Sequence, residues 1–328
     1  MSRTNLEQFI DEAARSNAGR SGTEVADRYR GVVLGVAVGN ALGLAVEGWS
    51  KDSIKKRFPK GVTEIDPAEK DRPWDDDLAQ TVVLAEVLMA TGEVELQDLT
   101  ARLVRWRAEN GRGIGSLTAA VLSLLAAGVS ADKAAQLVWE QSGRKAAGNG
   151  AVMRCAPVAL RWRNLGSRLV EESIKSAIVT HYDPRCPWSV LAVNAALASL
   201  LNGVEPDFGR LAALLDDAGA PEEVGRGVRE TQGSTLESFK LDGADMGYTI
   251  KAMQVGLWAL QEHGEFEGVL TRVINAGGDT DTNGAVAGAI RGARTGASGI
   301  PRRWLQNIMD RNRLVALADA LLRASEKR

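Results

Sequence analysis

Residues 275–284 read Asn-Ala-Gly-Gly-Asp-Thr-Asp-Thr-Asn-Gly, and we expect the rest of the chain to be arranged around them. The paired glycines allow the backbone to turn. Asp279 and Asp281 follow at a spacing of two, which directs both carboxylates to one side of an extended segment. Thr282 comes next, and small residues then favour a helix from residue 285 to residue 295. Oxygen ligands beside the free N–H groups at a helix start suit a divalent cation of the Mg²⁺ or Mn²⁺ kind.

A second stretch, residues 31–47, has a glycine at every fourth position, which places these glycines along one ridge of a helix. The helix after the aspartates repeats this spacing. The glycines concerned are Gly31, Gly35, Gly39, Gly43, Gly284, Gly288, Gly292 and Gly296. Because each interior glycine destabilises a helix by about 1 kcal/mol relative to alanine, we expect the two ridges to face each other in close packing. An antiparallel pair would place Glu47 beside Asp279 and Asp281; two separate, crowded core helices are the alternative.

A second acidic cluster consists of Asp75, Asp76 and Asp77, just before an apolar helix expected over residues 82–90. Three adjacent carboxylates cannot share one helix face. At a helix N-terminus they can diverge from a capping turn, where the helix dipole stabilises their charge. These residues alone leave an acidic cap in solvent as the alternative to a metal site.

The charge balance limits the partners. The 328 residues have a formal net charge of −2, which argues against a general binder of nucleic acids or of membrane surfaces. The most apolar run, residues 31–46, is interrupted by Asn40 and is shorter than a bilayer span. Residues 1–15 are polar and lack the apolar segment of a signal peptide. We therefore expect no membrane partner.

The cysteines and histidines indicate the compartment and the kind of metal. Cys155 and Cys186 are too few for a disulfide framework and show no metal-ligand spacing, which fits a reducing cytoplasm. His181 and His263 are the only histidines, so a zinc centre with several histidine ligands is not expected. A metal site in this chain would have to be built from oxygen ligands.

The apolar pattern predicts an all-α fold. Apolar residues recur at spacings of three and four, and no convincing alternating strand or 30-residue repeat is present. We expect a single helical domain over residues 29–328. Residues 1–28 should form a helical or flexible lead-in that ends in a Gly/Ser-containing tether, to which we assign no function.

Two further glycine-rich segments, residues 110–118 and 148–154, have more than one interpretation. Both are first of all signals for turns between helices. Their free backbone amides, with Arg154, are also suited to a diphosphate. His181, taken alone, is typical of a hydrogen-bonded structural residue.

Taken together, the motifs occur in a specific order along the chain. They are Glu47 at the end of the glycine helix, Trp74-Asp75-Asp76-Asp77, Ile114-Gly115 with Thr118, Gly148-Asn149-Gly150 with Met153-Arg154, Thr180-His181, residues 278–282, and Ile300-Pro301 with Trp304. This order resembles that of the ADP-ribosylglycohydrolases, the family of dinitrogenase-reductase-activating glycohydrolase and of the ADP-ribosylarginine and ADP-ribosylserine hydrolases. The resemblance extends from about residue 28 to residue 309, nearly the whole chain.

The resemblance implies a single-domain orthogonal bundle of helices with two divalent cations, Mg²⁺ or Mn²⁺. By position, the implied metal ligands are Asp75, Asp76, Asp77, Asp279, Asp281 and Thr282, with Asp281 bridging the two ions. Glu47 would lie at the cleft edge near the substrate ribose. The implied ADP-ribose pocket consists of Gly115, Asn149, Gly150, Met153 and His181.

The chemistry of the residues agrees with this family. Five aspartates at separations of a few ångström would repel one another strongly without cations. The resemblance implies a metal-dependent hydrolase that releases ADP-ribose from an ADP-ribosylated protein or small molecule, and we expect water attack at the ribose C1″. The expected catalytic residues are Asp76, Asp77, Asp281 and Glu47, with an aspartate or Glu47 as general base. A family member that binds ADP-ribose with weak or no turnover and a two-metal phosphoesterase are the alternatives, and an ADP-ribosylated base remains a possible substrate.

Several residues depart from the family pattern, among them Asn283-Gly284, which follow the second cluster where small apolar residues are commoner. Asp75 stands where threonine is usual, Leu78 replaces a second threonine, and Asn40 stands where aspartate is common. A carboxylate in place of a neutral hydroxyl at position 75 bears on the preferred metal, because it changes the charge and geometry of the ligand set.

Overall fold

Helices make up nearly all the regular structure of residues 3–16 and 22–326, the part of the chain that this computed structural model describes. The α-helices are α1 (Arg3–Ser16), α2 (Gly22–Gly43), α3 (Lys51–Arg57), α4 (Asp76–Thr91), α5 (Leu96–Glu109), α6 (Ser116–Ala126), α7 (Ala134–Gln141), α8 (Ala156–Trp162), α9 (Gly166–Ile178), α10 (Arg185–Leu201), α11 (Phe208–Asp217), α12 (Glu222–Thr231), α13 (Thr249–Gln261), α14 (Phe266–Ile274), α15 (Thr280–Thr295), α16 (Arg302–Leu305) and α17 (Arg311–Ser325). Short 3₁₀ turns cover Leu44–Val46, Pro67–Asp71, Leu236–Phe239 and Ala297–Gly299. The predicted all-α fold is confirmed.

The centre of the fold is the pair α2 and α15, which pack antiparallel along their glycines. A Cβ atom on Gly35 would overlap the carbonyl of Gly288, and one on Gly39 would overlap the carbonyl of Gly284. Gly31 faces Gly292 in the same way. Facing glycine ridges are therefore confirmed, and the alternative of two separate core helices is wrong. Helices α13 and α14 pack against the far side of α15, and α17 packs against α2.

Helix α2 with its following turn, Gly22–Val46, is long and apolar enough to meet the criteria for a membrane span. It is longer than the stretch recognised from the sequence. However, 78% of its most apolar 18-residue segment is buried inside the protein, largely against α15. This burial is what a core helix of a helical bundle shows.

The N-terminal lead-in contains a helix, α1, that packs on α9. Leu6, Phe9 and Ile10 are buried, and the backbone N–H of Gly166 donates a 2.8 Å hydrogen bond to Oδ1 of Asp11. Helix α2 begins at Gly22 and so includes the expected domain start at residue 29. The tether residues 17–21 lie outside the described residues.

A two-residue antiparallel ladder joins the ends of the two central segments. Strand β1 (Trp49–Ser50) pairs with β2 (Gly277–Gly278), with Trp49 opposite Gly278. Gly277 and Gly278 both have a φ near +80°, which favours glycine. Strands this short show no alternation of apolar and polar residues, so the ladder was not predicted. It fixes residues 47–48 beside residue 279.

Three other elements were also not predicted. Helix α3 lies within the polar residues 50–72, for which no helix was predicted, and it has only one buried residue, Ile54. Its N-cap is Ser50, whose hydroxyl accepts a 3.2 Å hydrogen bond from the N–H of Ser53. Helices α11 and α12 lie within a stretch of mixed charge and weak periodicity.

Candidate active site

A cleft of about 400 Å³ opens where the ends of α2, α4 and α15 meet. Residues from both acidic clusters and from the implied ADP-ribose pocket line it together. These predicted residues are Glu47, Asp76, Gly115, Asn149, Gly150, Met153, His181, Asp279, Asp281 and Thr282. The fold therefore brings together residues separated by more than 200 positions in the chain.

The first acidic cluster forms the N-terminus of α4. Asp75 is the N-cap residue, and Asp76 and Asp77 lie in the first turn. All three are buried, with side chains no more than 6% exposed, and one oxygen from each lies within 4.8 Å of the others. The alternative of an acidic cap in solvent is therefore wrong.

Asp77 connects this cluster to α2 and α15. Nδ2 of Asn40 donates to Oδ2 of Asp77 at 3.3 Å and lies 3.4 Å from Oδ2 of Asp75. Thr282 of α15 also lies near Asp77, where its hydroxyl opposes the rise that burial causes in the pKa of that carboxyl. One amide on α2 thus lies between two carboxylates of α4, close to the start of α15.

The second acidic cluster forms the N-terminus of α15. Asp279 is the N-cap residue and Asp281 lies in the first turn. Nδ2 of Asn149 donates a 2.8 Å hydrogen bond to Oδ2 of Asp279. Oγ1 of Thr280 donates to the carbonyl of Gly43 at 2.8 Å, which fixes the start of α15 against the end of α2.

The carboxylates strongly disfavour one another's ionisation. Burial, followed by the charges of Asp75 and Asp279, raises the pKa of Asp76 to about 8. Burial and the neighbouring carboxylates also hold the pKa of Asp77 and of Asp281 well above the usual range. At the exposed rim of the cleft, partial desolvation and the Asp279 charge raise the pKa of Glu47.

The donor set fits divalent cations. Within the described residues, Oδ1 of Asp77 and Oδ1 of Asp281 are buried without a hydrogen-bond partner. A buried carboxylate oxygen in this condition costs free energy unless a cation contacts it. Carboxylate and hydroxyl oxygens are the ligands that Mg²⁺ and Mn²⁺ prefer.

Asp75 differs from the other aspartates because an arginine stands next to it. Nε of Arg112 lies 3.6 Å from Oδ1 of Asp75, and Nη1 of Arg112 lies 2.9 Å from Oε2 of Glu69. Asp75 does not line the cleft. Burial raises its pKa, while Asn40 and Arg112 act in the opposite direction. Part of the additional charge at position 75 is therefore balanced by protein groups.

Comparison with known proteins agrees with this geometry. A sequence model described as ADP-ribosylglycohydrolase matches residues 21–328. The chain belongs to the ADP-ribosylglycohydrolase family. The family and enzyme class expected from the sequence are confirmed.

Two relatives and one solved structure show how far the similarity extends. The chain is 27% identical to ADP-ribosylarginine hydrolase Tri1 of Serratia proteamaculans, over 91% of this chain and 80% of that one. It is 27% identical to ADP-ribosyl-[dinitrogen reductase] glycohydrolase of Rhodospirillum rubrum, over 88% and 92%. A solved structure titled ADP-ribosylglycohydrolase-related protein complex superposes with a TM-score of 0.75 at 31% identity, covering 92% of this chain and 99% of that one.

In this ADP-ribosylglycohydrolase family member, Arg154 lies behind the cleft and not in it. Its side chain is fully buried, and Nη1 donates to Oε1 of Gln80 at 2.7 Å and to the carbonyl of Gly150 at 2.9 Å. Nη2 donates to Oγ1 of Thr180 at 2.6 Å. The interpretation of Arg154 as a diphosphate ligand is wrong, because its donors are directed into the protein. The arginine supports the cleft wall.

His181 is both structural and part of the cleft. Its Nδ1 lies 2.8 Å from Oγ1 of Thr180, a hydroxyl that already accepts from Arg154 and is free to donate. The proton of the neutral imidazole then lies on Nε2. Burial, with the Arg154 charge, lowers the pKa of His181 to about 3, so the ring stays neutral. A Cβ atom on Gly150 would lie 2.8 Å from Cε1 of His181, so glycine is needed there.

One wall of the cleft was not predicted from the sequence. Met246 and Gly247 line it, and the carbonyl of Gly247 accepts a 3.0 Å hydrogen bond from the N–H of Asn149. These residues precede α13 in a stretch with no recognisable motif. They reach the Asn149 turn only through the tertiary fold, which no local sequence pattern indicates.

Proposed function

We propose that this chain is a metal-dependent hydrolase that cleaves the glycosidic bond between ADP-ribose and an acceptor, releasing ADP-ribose. The main support is the meeting of Asp76, Asp279, Asp281 and Glu47 in one cleft, together with the buried, unpartnered oxygens behind it. The two relatives named for ADP-ribosylarginine and ADP-ribosyl-dinitrogen reductase make a protein arginine the first acceptor to test.

The proposed cofactors are two divalent cations, Mg²⁺ or Mn²⁺. Asp76, Asp77, Asp279, Asp281 and Thr282 would hold them. Asp75 as a ligand stays a prediction, since Arg112 stands beside it. When bound, the cations would supply positive charge that relieves carboxylate repulsion and orients the substrate ribose.

The reaction requires a general base and stabilisation of positive charge. A water oxygen bonds to C1″ as the bond from C1″ to the acceptor breaks, and the departing acceptor keeps the bonding electrons. The water proton passes to a carboxylate at the cleft rim, for which Glu47 is our choice. The same proton is then delivered to the departing acceptor, so that the acceptor leaves protonated and Glu47 is again a carboxylate. Positive charge develops on the ribose ring in the transition state, and nearby carboxylates stabilise it.

We assign the other cleft residues to binding of the substrate and not to proton transfer. Burial lowers the pKa of His181 to about 3, so the ring is neutral at pH 7 and acts as an Nε2–H donor to the ligand and not as a base. The small surfaces of Gly115, Gly148 and Gly150 leave room for the ADP-ribose diphosphate. Asn149 fixes Asp279 from the same turn.

The decisive experiment is hydrolysis of ADP-ribosylated arginine, serine and nucleobase substrates with Mg²⁺, with Mn²⁺ and with excess EDTA. The proposal expects release of ADP-ribose that depends on metal and is lost in Asp279→Asn and Asp281→Asn variants that keep native circular dichroism. Undiminished turnover in EDTA would refute metal dependence. ADP-ribose binding without any turnover would favour a binding protein on the same fold.

A cytoplasmic location is part of the same proposal. It rests on the two cysteines, both of which are free and buried. Cell fractionation tests it directly.

A further inference from the structure

A second cavity, of about 390 Å³, lies at the opposite end of the β1–β2 ladder from the candidate active-site cleft, which we call the metal cleft. Gly48 precedes β1 and Asp279 follows β2, and both line the cleft. Lys51 follows β1 and Asn275 lies just before β2, and both line the second cavity. A ladder two residues long spans only about 7 Å. The two cavities therefore share one thin wall.

An exposed aromatic side chain connects them across the surface. Trp49 is 39% exposed, and its backbone neighbour Gly48 lines the cleft. Its ring centroid lies 6.4 Å from that of Phe58, which lines the second cavity. An extended chain leaving the cleft over Trp49 would reach the second cavity within a few residues, at about 3.3 Å per residue.

The second cavity combines an apolar floor with a basic rim. Buried Ile54 and half-buried Phe58 supply the floor, and the exposed residues Pro59, Lys55 and Lys60 lie at the rim. Within the described residues, neither of these two lysines forms an ion pair. By contrast, Nζ of Lys51 lies 2.9 Å from Oε1 of Glu237, and Arg272 pairs with Glu262. We call this cavity the basic groove.

We propose that the basic groove binds an acidic segment of a protein substrate whose ADP-ribosylated side chain occupies the metal cleft. This inference rests on the proposed function and names a class of substrate for it: proteins with carboxylates near the modified residue. Lys55 and Lys60 would pair with those carboxylates, and the apolar floor would contact neighbouring side chains.

A peptide fits the groove better than a nucleic acid does. Backbone recognition of a nucleic acid uses a continuous row of cations. Here two unpaired lysines flank an apolar floor, and the acids Glu237 and Glu262 stand nearby. The formal net charge of −2 also argues against a nucleic acid as the partner.

The test uses three peptides with one ADP-ribosylated arginine flanked by glutamates, by alanines or by lysines, and free ADP-ribosylarginine as a small substrate. The variant is the double substitution Lys55→Glu with Lys60→Glu. Lys56→Glu is the matched control for the change at Lys55, because it reverses one charge on the same helix but does not line the groove; Lys60 lies beyond the end of that helix. Affinity for the unmodified glutamate-flanked peptide is measured separately by fluorescence anisotropy.

For the wild type we expect kcat/KM to be highest with glutamate flanks and lowest with lysine flanks. Because exposed ion pairs are individually weak, the double variant should lose only about five- to tenfold in kcat/KM on the glutamate-flanked peptide, mainly through KM. It should bind that peptide correspondingly less tightly. Hydrolysis of free ADP-ribosylarginine should not change, and Lys56→Glu should behave like the wild type.

Equal kcat/KM for the three peptides, or equal losses in the double variant and in Lys56→Glu, would overturn the inference. Stronger competition by a mixed-sequence oligonucleotide than by the acidic peptide, relieved in the double variant, would assign the groove to nucleic acid and also overturn it. Failure to hydrolyse any substrate would contradict the proposed function. The anisotropy titration would then still decide whether the groove binds the acidic segment.

Discussion

Gly39 of α2 lies directly against Gly284 of α15, so that a Cβ atom on either residue would overlap the backbone of the other. The contact is repeated one helical turn away between Gly35 and Gly288. Its consequence for function lies at the end of the ridge, where the Thr280 hydroxyl donates to the carbonyl of Gly43. Close backbone packing thus determines where the acidic start of α15 stands.

The substitution Gly39→Ala should destabilise the protein despite the better helix propensity of alanine. Overpacking typically costs about 1–3 kcal/mol or more, whereas the propensity gain is about 1 kcal/mol. We expect a net loss of at least about 1 kcal/mol in the free energy of unfolding, measured by denaturant titration. Gly268→Ala in α14 is the control, since a Cβ atom there meets nothing within 4 Å. Equal effects of the two substitutions would contradict this role of the ridge.

The substitution Arg154→Met should lower both stability and activity. It leaves Oε1 of Gln80, the carbonyl of Gly150 and Oγ1 of Thr180 without their buried donor. At about 1–3 kcal/mol for each buried group left unsatisfied, we expect a loss of roughly 3 kcal/mol or more. Thermal unfolding and kcat measure the two effects.

A matched control distinguishes the loss of these buried hydrogen bonds from the loss of a positive charge in general. Arg226→Met removes an exposed arginine that pairs with Glu222 four residues away, and it should cost less than about 1 kcal/mol. If Arg154→Met behaved like Arg226→Met, the buried network would not be supporting the cleft wall.

Metal binding to chelator-treated protein should release protons. Without metal, burial and the neighbouring carboxylates raise the pKa of Asp76 to about 8, so this group is largely protonated at pH 6. A bound cation requires the carboxylate form. We expect more protons released per bound ion at pH 6 than at pH 9, measured by calorimetry in buffers of different ionisation enthalpy. Asp76→Asn should reduce the release, and equal release at both pH values would contradict the expectation.

The same pKa predicts how the stability of the metal-free protein changes with pH. In the unfolded chain an aspartate ionises near pH 4, while in the folded protein Asp76 retains its proton until about pH 8. Its contribution to stability is therefore complete below about pH 4 and is lost as the pH rises towards 8. Thermal unfolding in EDTA should show a falling Tm over this range, less steeply in Asp76→Asn. A Tm that rises equally in both proteins would contradict the assignment.

The sequence determined the central helices because their signals are local and periodic. Glycine at every fourth position of α2 and α15 is costly unless two backbones meet, so the ridge could be predicted. The two aspartate clusters were likewise recognisable, but their helices begin earlier than predicted, α4 at Asp76 and α15 at Thr280. Asp279 and Asp281 therefore do not lie on an extended segment. By contrast, α3 buries only Ile54, so it has no apolar periodicity from which to predict a helix.

Some features of the site depend on side-chain directions that a sequence does not contain. Arg154 follows a glycine-rich turn, as a diphosphate ligand would, yet it points into the core and bonds carbonyl and hydroxyl oxygens there. Asp75 is adjacent to Asp76, yet it faces Arg112 and not the cleft. The wall at Met246 depends on how the chain returns to the Asn149 turn.

The central claim is that carboxylates of α4 and α15 share the same divalent cations, and a double-mutant cycle of Mn²⁺ affinity tests it most directly. Asp76→Ala, Asp281→Ala and the double variant are compared with the wild type by electron paramagnetic resonance titration, with exposed Asp71→Ala as the control. We predict that each single variant loses at least about tenfold in affinity and that the double variant loses far less than the sum of the two free energies. Additive losses, or unchanged affinity in either single variant, would show that the two clusters do not hold the same ions.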